Sequence, residues 1–197
     1  MLSIPTERLT LRPLIAADQD MFCQLYTSKH TMAYMSAPYS AEKAKKTFYS
    51  ALHFNKNQNR VINTWAITLK CLNAPYTATN MSFGIVMVYD EWKQERLANI
   101  EIGVLLLPEV TKQGFAKEAL MGLLGYCFNK LSLTQVNIRF HQDNNLMQII
   151  ARKLGFTSLA HKSPNNLSLS KSKSTLKSKN AMLVQQLTAQ QWQAGHV

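Results

Sequence analysis

The sequence predicts an α/β domain: a mixed central sheet of six to seven strands flanked by about four helices. Three observations carry that expectation. The hydrophobic patterns run strand, two helices, three strands, helix, strand, helix, then one or two strands. Three strand-type runs in succession form an antiparallel meander, and the strand–helix–strand that follows is the signature of a parallel crossover. Finally, 197 residues that are 46% hydrophobic and 17% charged suffice for one sizeable core.

"RLTLRPL" (Arg8 to Leu14) alternates apolar and polar residues as a half-buried strand does, and Pro13 helps end it. "AADQDMFCQLY" places Phe22, Leu25 and Tyr26 at helical spacing, and "SAEKAKKTFYSALHF" reads as a second helix capped by Ser40. "TWAITLK" and "SFGIVMVYD" are strands on either side of a turn-prone segment, "CLNAPYTATN". Leu97 to Leu107, "LANIEIGVLLL", is apolar enough at its end to be a central strand. A helix from about Gly114 to Leu131 leads to the strand "TQVNIRFHQ" and the helix "NNLMQIIARKL", which Gly155 stops as a left-handed cap. "FTSLAHK" is a further strand candidate and "AMLVQQL" a last strand. Between them lies a Ser/Lys-rich stretch near residues 163–179, of a composition that reads as a mobile loop. No repeat or linker divides the chain, so residues 1–197 are expected to be one domain.

The formal net charge is +11, with a pI near 9.7. Asp143 is the last acidic residue, and Arg152, Lys153, Lys162, Lys171, Lys173, Lys177 and Lys179 follow it. Such a chain attracts polyanions, which include nucleotide phosphates, RNA and acidic protein surfaces. It lacks the aromatic-rich basic motifs of RNA-binding modules, so nucleic acid is expected only through non-specific charge. No run reaches the length of a membrane span and the first residues carry no secretory pattern. Cys23, Cys71 and Cys127 are widely spaced, which suggests reduced thiols, no metal site and a cytoplasmic protein.

The junction "TKQGFAKEAL" (Thr111 to Leu120) asks why one of only seven glycines follows a central strand and opens a helix. A helix start has unpartnered N–H groups and a partial positive charge, so a phosphate binds there when no side chain intervenes. Gly114 and Ala116 keep the approach open and Lys112 adds charge; equally, the glycine permits a turn and the alanine packs on the sheet. The stretch alone leaves both readings open. A Walker loop needs Gly-Lys-Ser/Thr, which is absent, and the dinucleotide fingerprint needs three glycines near its first strand.

The pattern Thr111-Lys112-Gln113-Gly114-Phe115-Ala116 resembles the Q/R-x-x-G-x-G/A loop of the GNAT N-acetyltransferases, with Thr111 departing from Gln or Arg. The flanks "TERLTLRPL", "IEIGVLLLPE", "FAKEAL" and "NNLMQIIARKLGF", with "QQLTAQQW" as a tail, resemble the RimJ/RimL-type branch over roughly Glu7 to Phe156. The resemblance implies a GNAT fold whose sheet splays at the acetyl-CoA site. It also implies acetyl transfer to a primary amine by direct attack in a ternary complex. The acceptor would be a protein N-terminus, such as that of a ribosomal protein, or a small amino compound.

The same resemblance places the pyrophosphate on the backbone of residues 111–116, so Thr111 would weaken binding without abolishing it. It lays the pantetheine arm along the main chain of Val104, Leu105 and Leu106. Asn144 would bind that arm, cap the next helix, or both. Three positions on, the family's Ser is Met147, whose thioether donates no proton.

Glu101, in a strand of Ile, Val and Leu, is the candidate base, because partial burial raises a carboxylate's pKa; the alternative is a partner for an arginine. His141, at the end of the fifth strand, is a second candidate base or relay. Glu118 is expected to suit the helix start, and Cys127 and Trp65 to be core. A monomer or homodimer is expected. Two other readings of the fold remain: an acyl-CoA-binding protein of weak activity, and a ribosome- or RNA-associated basic protein.

Overall fold

The computed structural model describes residues 1–56, 63–70, 81–90, 100–158 and 182–195. The strands are β1 (Ile4–Pro5), β2 (Leu9–Pro13), β3 (Asn63–Leu69), β4 (Gly84–Asp90), β5 (Ile100–Leu106), β6 (Gln135–His141), β7 (Thr157–Ser158) and β8 (Met182–Thr188). The helices are α1 (Gln19–Thr27), α2 (Lys29–Met32), α3 (Ala41–Lys56), α4 (Phe115–Asn129), α5 (Asn145–Lys153) and α6 (Ala189–Gly195). One sheet holds all eight strands in the order β1-β2-β3-β4-β5-β6-β8-β7. Every neighbouring pair is antiparallel except β5–β6.

Two apolar layers sandwich the sheet. One face carries α4 and α5, against Ile100 and Ile102 of β5 and Val136, Ile138 and Phe140 of β6. The other carries α1 to α3, against Ala66, Ile85 and Leu105. Strand alternation makes this assignment: successive side chains of β5 point to opposite faces. Glu101, Gly103 and Leu105 therefore share the α1–α3 face, while Ile102, Val104 and Leu106 face α4. In α4, Leu120, Leu123, Leu124 and Cys127 recur at helical spacing and are fully buried. Burying each leucine is worth about 2 kcal/mol, which fixes this helix, and so its N-terminus, against the sheet. Trp65 is fully buried as expected, and its indole N–H donates to the Leu2 carbonyl at 3.0 Å.

Several elements differ from expectation. The sheet gains β1, which is two residues long and too short to show alternation. The short α2 and the terminal α6 add to the four expected helices; α6 buries only Trp192 and lacks an apolar stripe. α4 ends at Asn129 rather than Leu131, and β7 is Thr157–Ser158 within "FTSLAHK", whose residues 159–162 lie outside the described residues. Ser40 does cap α3, accepting from the Lys43 amide at 3.2 Å, and Gly155 is left-handed with φ 87°. Cys71, residues 97–99 and the Ser/Lys-rich stretch lie outside the described residues. No helix among the described residues is long and apolar enough to cross a membrane.

Candidate active site

Among the described residues β5 and β6 pair at Glu101↔Asn137 and Ile102↔Ile138, and then part. β5 continues to Leu106 paired with β4, and β6 continues to His141 paired with β8. Past Ile102, one edge of β5 thus faces a gap in the sheet. A cleft of about 560 Å³ runs through that gap, lined from both faces. On the α4 side its walls include Lys112, Gly114, Asn144 and Met147; on the other side they include His30, Thr31, Tyr34, Met87, Tyr89 and Arg139.

The helix mouth is shaped as an anion cradle. Gly114 is the residue before α4, with φ 83°, and no side chain caps the helix. The first N–H groups of α4, which have no partner within a helix, therefore remain for a ligand. Lys112 is also left-handed, with φ 63°, an uncommon conformation for a residue with a Cβ. The loop thus stores strain where the ligand would sit. Lys112 and Lys117 both line the cleft. Thr111 turns its hydroxyl back to the Pro108 carbonyl at 2.8 Å, closing the short 3-10 turn after β5.

Of the residues expected to hold cofactor, Val104, Leu105 and Leu106 line the cleft, as do Thr111, Lys112, Gly114, Phe115, Ala116 and Asn144. Gln113 is not among the lining residues; its carbonyl accepts from Arg8. Phe115 is buried against Phe83, with ring centroids 5.3 Å apart. Asn144 caps α5, its side chain accepting from the Met147 amide at 3.1 Å, so the capping role and a place in the cleft coexist.

The two candidate bases sit one layer back. Glu101 is 2% exposed. Its Oε1 accepts from Arg139 Nη2 at 2.7 Å and Nε at 3.0 Å, and its Oε2 accepts from the Tyr89 hydroxyl at 2.6 Å. The arginine partnership weighed in the sequence is therefore present, and Arg139 and Tyr89, not Glu101, reach the cleft wall. His141 accepts from the Asp143 amide at Nδ1 and stacks on Tyr34, with centroids 6.1 Å apart.

Glu118 faces away from the cleft. It accepts from the Thr6 hydroxyl, the Arg8 amide and Arg8 Nε at 2.6 to 2.7 Å. Burial works to raise its pKa, but these hydrogen bonds and the Arg8 charge outweigh burial and hold it below the usual carboxylate value. Burial pushes the Cys127 thiol up to about 12, so it is core and no nucleophile. Among the described residues no group of three or more His, Cys, Asp or Glu is placed to hold a metal ion.

Sequence reading missed the α2 wall and the Tyr89–Glu101–Arg139 cluster. The segment around α2 is too short for periodicity. Arg139 did carry a signal, as a charge alternating with the apolar Val136, Ile138 and Phe140 of β6.

A family profile described as an acetyltransferase (GNAT) domain matches residues 8–157. The chain belongs to the GNAT acetyltransferase family. As a member it is an acetyl-CoA-dependent N-acetyltransferase. A comparison with curated protein sequences finds no match. Solved structures share the fold at low identity. An acetyltransferase from Agrobacterium tumefaciens C58 is 21% identical with a TM-score of 0.69, covering 95% of this chain and 94% of that one. Spermidine N-acetyltransferase from Vibrio cholerae, in complex with CoA and spermine, is 18% identical at 0.69, covering 94% and 98%. RimL, a ribosomal L7/L12 α-N-protein acetyltransferase, is 16% identical at 0.66, covering 95% and 94%.

The site fits the CoA of this acetyltransferase family. A Cβ on Gly114 would stand 3.3 Å from Arg8 Nη2, in a conformation that side chains rarely adopt. The edge of β5 beyond Ile102 offers main-chain groups to an extended arm.

Proposed function

We propose that this acetyltransferase moves the acetyl group of acetyl-CoA to an isolated primary amine, the α-amine of a polypeptide or a small amino compound, within a ternary complex. One observation carries the reading: the lateral gap between β5 and β6 is crossed by a cleft that joins the helix-mouth cradle to the opposite face. Donor and acceptor can then approach from opposite faces and meet in the gap. Acetyl-CoA supplies the activated acetyl group as a thioester.

The protein's residues divide the remaining tasks. The N–H groups at the start of α4, with Lys112 and Lys117, bind the diphosphate. Main-chain groups of Val104, Leu105 and Leu106 align the arm as an added strand edge. The amine must lose a proton to react. Glu101 takes it through Tyr89: the phenolic proton moves to Oε2 as the hydroxyl oxygen accepts from the amine. Arg139 holds Glu101 in place for that transfer, and His141 supports the Tyr34 wall. Met147 offers no proton to the departing thiolate. The Thr31 hydroxyl, buried at the cleft and without a hydrogen-bond partner, is a candidate group to orient the acceptor.

The acceptor side favours a lone amine. Its carboxylate, Glu101, is occupied by Arg139 and Tyr89, and the formally charged residues lining the cleft among those described are Lys112, Lys117, Arg139 and Lys153. A polyamine needs several carboxylates, so the spermidine specificity of the Vibrio enzyme does not transfer. An α-amine, with a pKa near ~8 against ~10 for a side-chain amine, also asks less of a base.

The test is thiol release from acetyl-CoA with peptide N-termini, small monoamines and polyamines as acceptors. Turnover is expected with the first two classes and little with the third. Gly114→Glu places a carboxylate against the phosphates and is expected to abolish CoA binding in calorimetry. Wild-type affinity in that variant would reject the cradle.

A further inference from the structure

The loop before α4 is braced from within by Thr111 and also from a residue more than a hundred positions earlier. Arg8, at the turn that leads into β2, makes four contacts at once. Its amide donates to Glu118 Oε1 at 2.6 Å and its Nε to Glu118 Oε2 at 2.7 Å. Its Nη1 donates to the Gln113 carbonyl at 3.2 Å, and its guanidinium lies over the Phe115 ring, 4.7 Å from the centroid. The Thr6 hydroxyl completes the set by donating to Glu118 Oε1 at 2.6 Å. The turn itself is fixed by Thr6, whose amide donates to the Leu9 carbonyl and whose hydroxyl accepts from the Leu9 amide.

One turn along α4 from Glu118, Gly122 lets the helix approach this turn closely. A Cβ there would stand 2.6 Å from Thr6 Cγ2. The contact therefore has a steric licence as well as an ionic one.

We infer that Arg8 is a positioning residue for CoA: with Thr6, Glu118 and Gly122 it clamps the Gln113–Phe115 backbone in its ligand-ready, left-handed shape. Two features separate this from a generic surface ion pair, which contributes little. Glu118 is 7% exposed and accepts three donors, so the pair is anchored at the carboxylate. The other arm of the guanidinium ends on the loop's own carbonyl, between the two left-handed residues Lys112 and Gly114. An arginine can do both because its donors form a rigid planar fork; a lysine cannot. Nη2 also lies beside Gly114, adding positive charge near the cradle.

This inference rests on the reading of the loop as the CoA site. The test is calorimetric CoA titration, with steady-state kinetics, on wild type, Arg8→Met and Arg8→Lys. Arg8→Met is expected to weaken CoA about tenfold, the scale of a lost hydrogen bond to a charged group. The loss should fall on the KM for acetyl-CoA and leave the KM for the amine in place. Arg8→Lys keeps the charge and the aliphatic stem, and should restore only part of the affinity. Gly122→Ala, which touches no charge, should weaken CoA in the same direction by pushing the turn off α4.

If Arg8→Met does not fold, Arg8→Lys and Gly122→Ala decide the matter. Lower melting temperature with unchanged CoA affinity in the folded variants would make the clamp merely structural and overturn the inference. A wild-type protein that does not bind CoA would instead overturn the functional reading, and this inference with it.

Discussion

In the proposed mechanism the chemistry at the amine turns on the 2.6 Å hydrogen bond from Tyr89 to Glu101. Because Glu101 is buried and Tyr89 reaches the cleft, the two are expected to fail together. Glu101→Gln should lower kcat about a hundredfold, within the range for general acid–base catalysis, while CoA affinity holds. Tyr89→Phe should lower it comparably if the phenol is the relay. Steady-state kinetics on both variants check this: unchanged turnover in Glu101→Gln removes it as the base, and a loss in that variant alone removes the relay. Position 101 also shows how far a sequence reaches. A carboxylate among Ile, Val and Leu was legible as unusual; its arginine partner was legible only as a possibility, because Arg139 is 38 residues away across a parallel strand pair. Arg8 was harder still, since nothing in "TERLTLRPL" points to a loop more than a hundred residues later.

At the scale of elements, the strands and helices that face two apolar layers were readable from periodicity. β5 and α4 are the clearest cases: the first is buried on both faces and the second shows a continuous buried stripe. The loop of residues 111–116 between them was assigned to phosphate by resemblance, and from residues alone only as one of two alternatives. The α2 wall was not readable, because four helical residues carry too little pattern. Gly103 lines the cleft on the α1–α3 face, the proposed acceptor side, where an added Cβ would meet Met87 at an ordinary 3.4 Å. Gly103→Val is therefore expected to keep the strand and narrow the acceptor chamber. The KM for the amine should rise several-fold with CoA affinity unchanged, read by kinetics against calorimetry.

For the molecule as a whole, the buried carboxylates Asp18 and Glu118 are expected to contribute to its stability against acid. Burial works to raise the pKa of Asp18, but hydrogen bonds from Arg12, the Ile15 amide and Ser82, with the Arg12 charge, bring it below the usual value. Glu118 is lowered in the same manner by Thr6 and Arg8. A depressed folded-state pKa contributes stability that is present above the unfolded value and lost as pH falls through the folded one. The unfolded references are 3.8 and 4.5, so the melting temperature should hold at neutral pH and decline below about pH 4.5. Thermal melts from pH 7 to 3 check this, and Glu118→Gln should flatten the upper part of the decline. The two-rung junction between β5 and β6 has a mechanical corollary. The sheet is a zip fastened at one end and parted at the other, with α4 lying across both halves on one face. A guest lying in the opening and bonding along it would act as the missing teeth, so loading the donor is expected to stiffen the frame that must receive the second reactant.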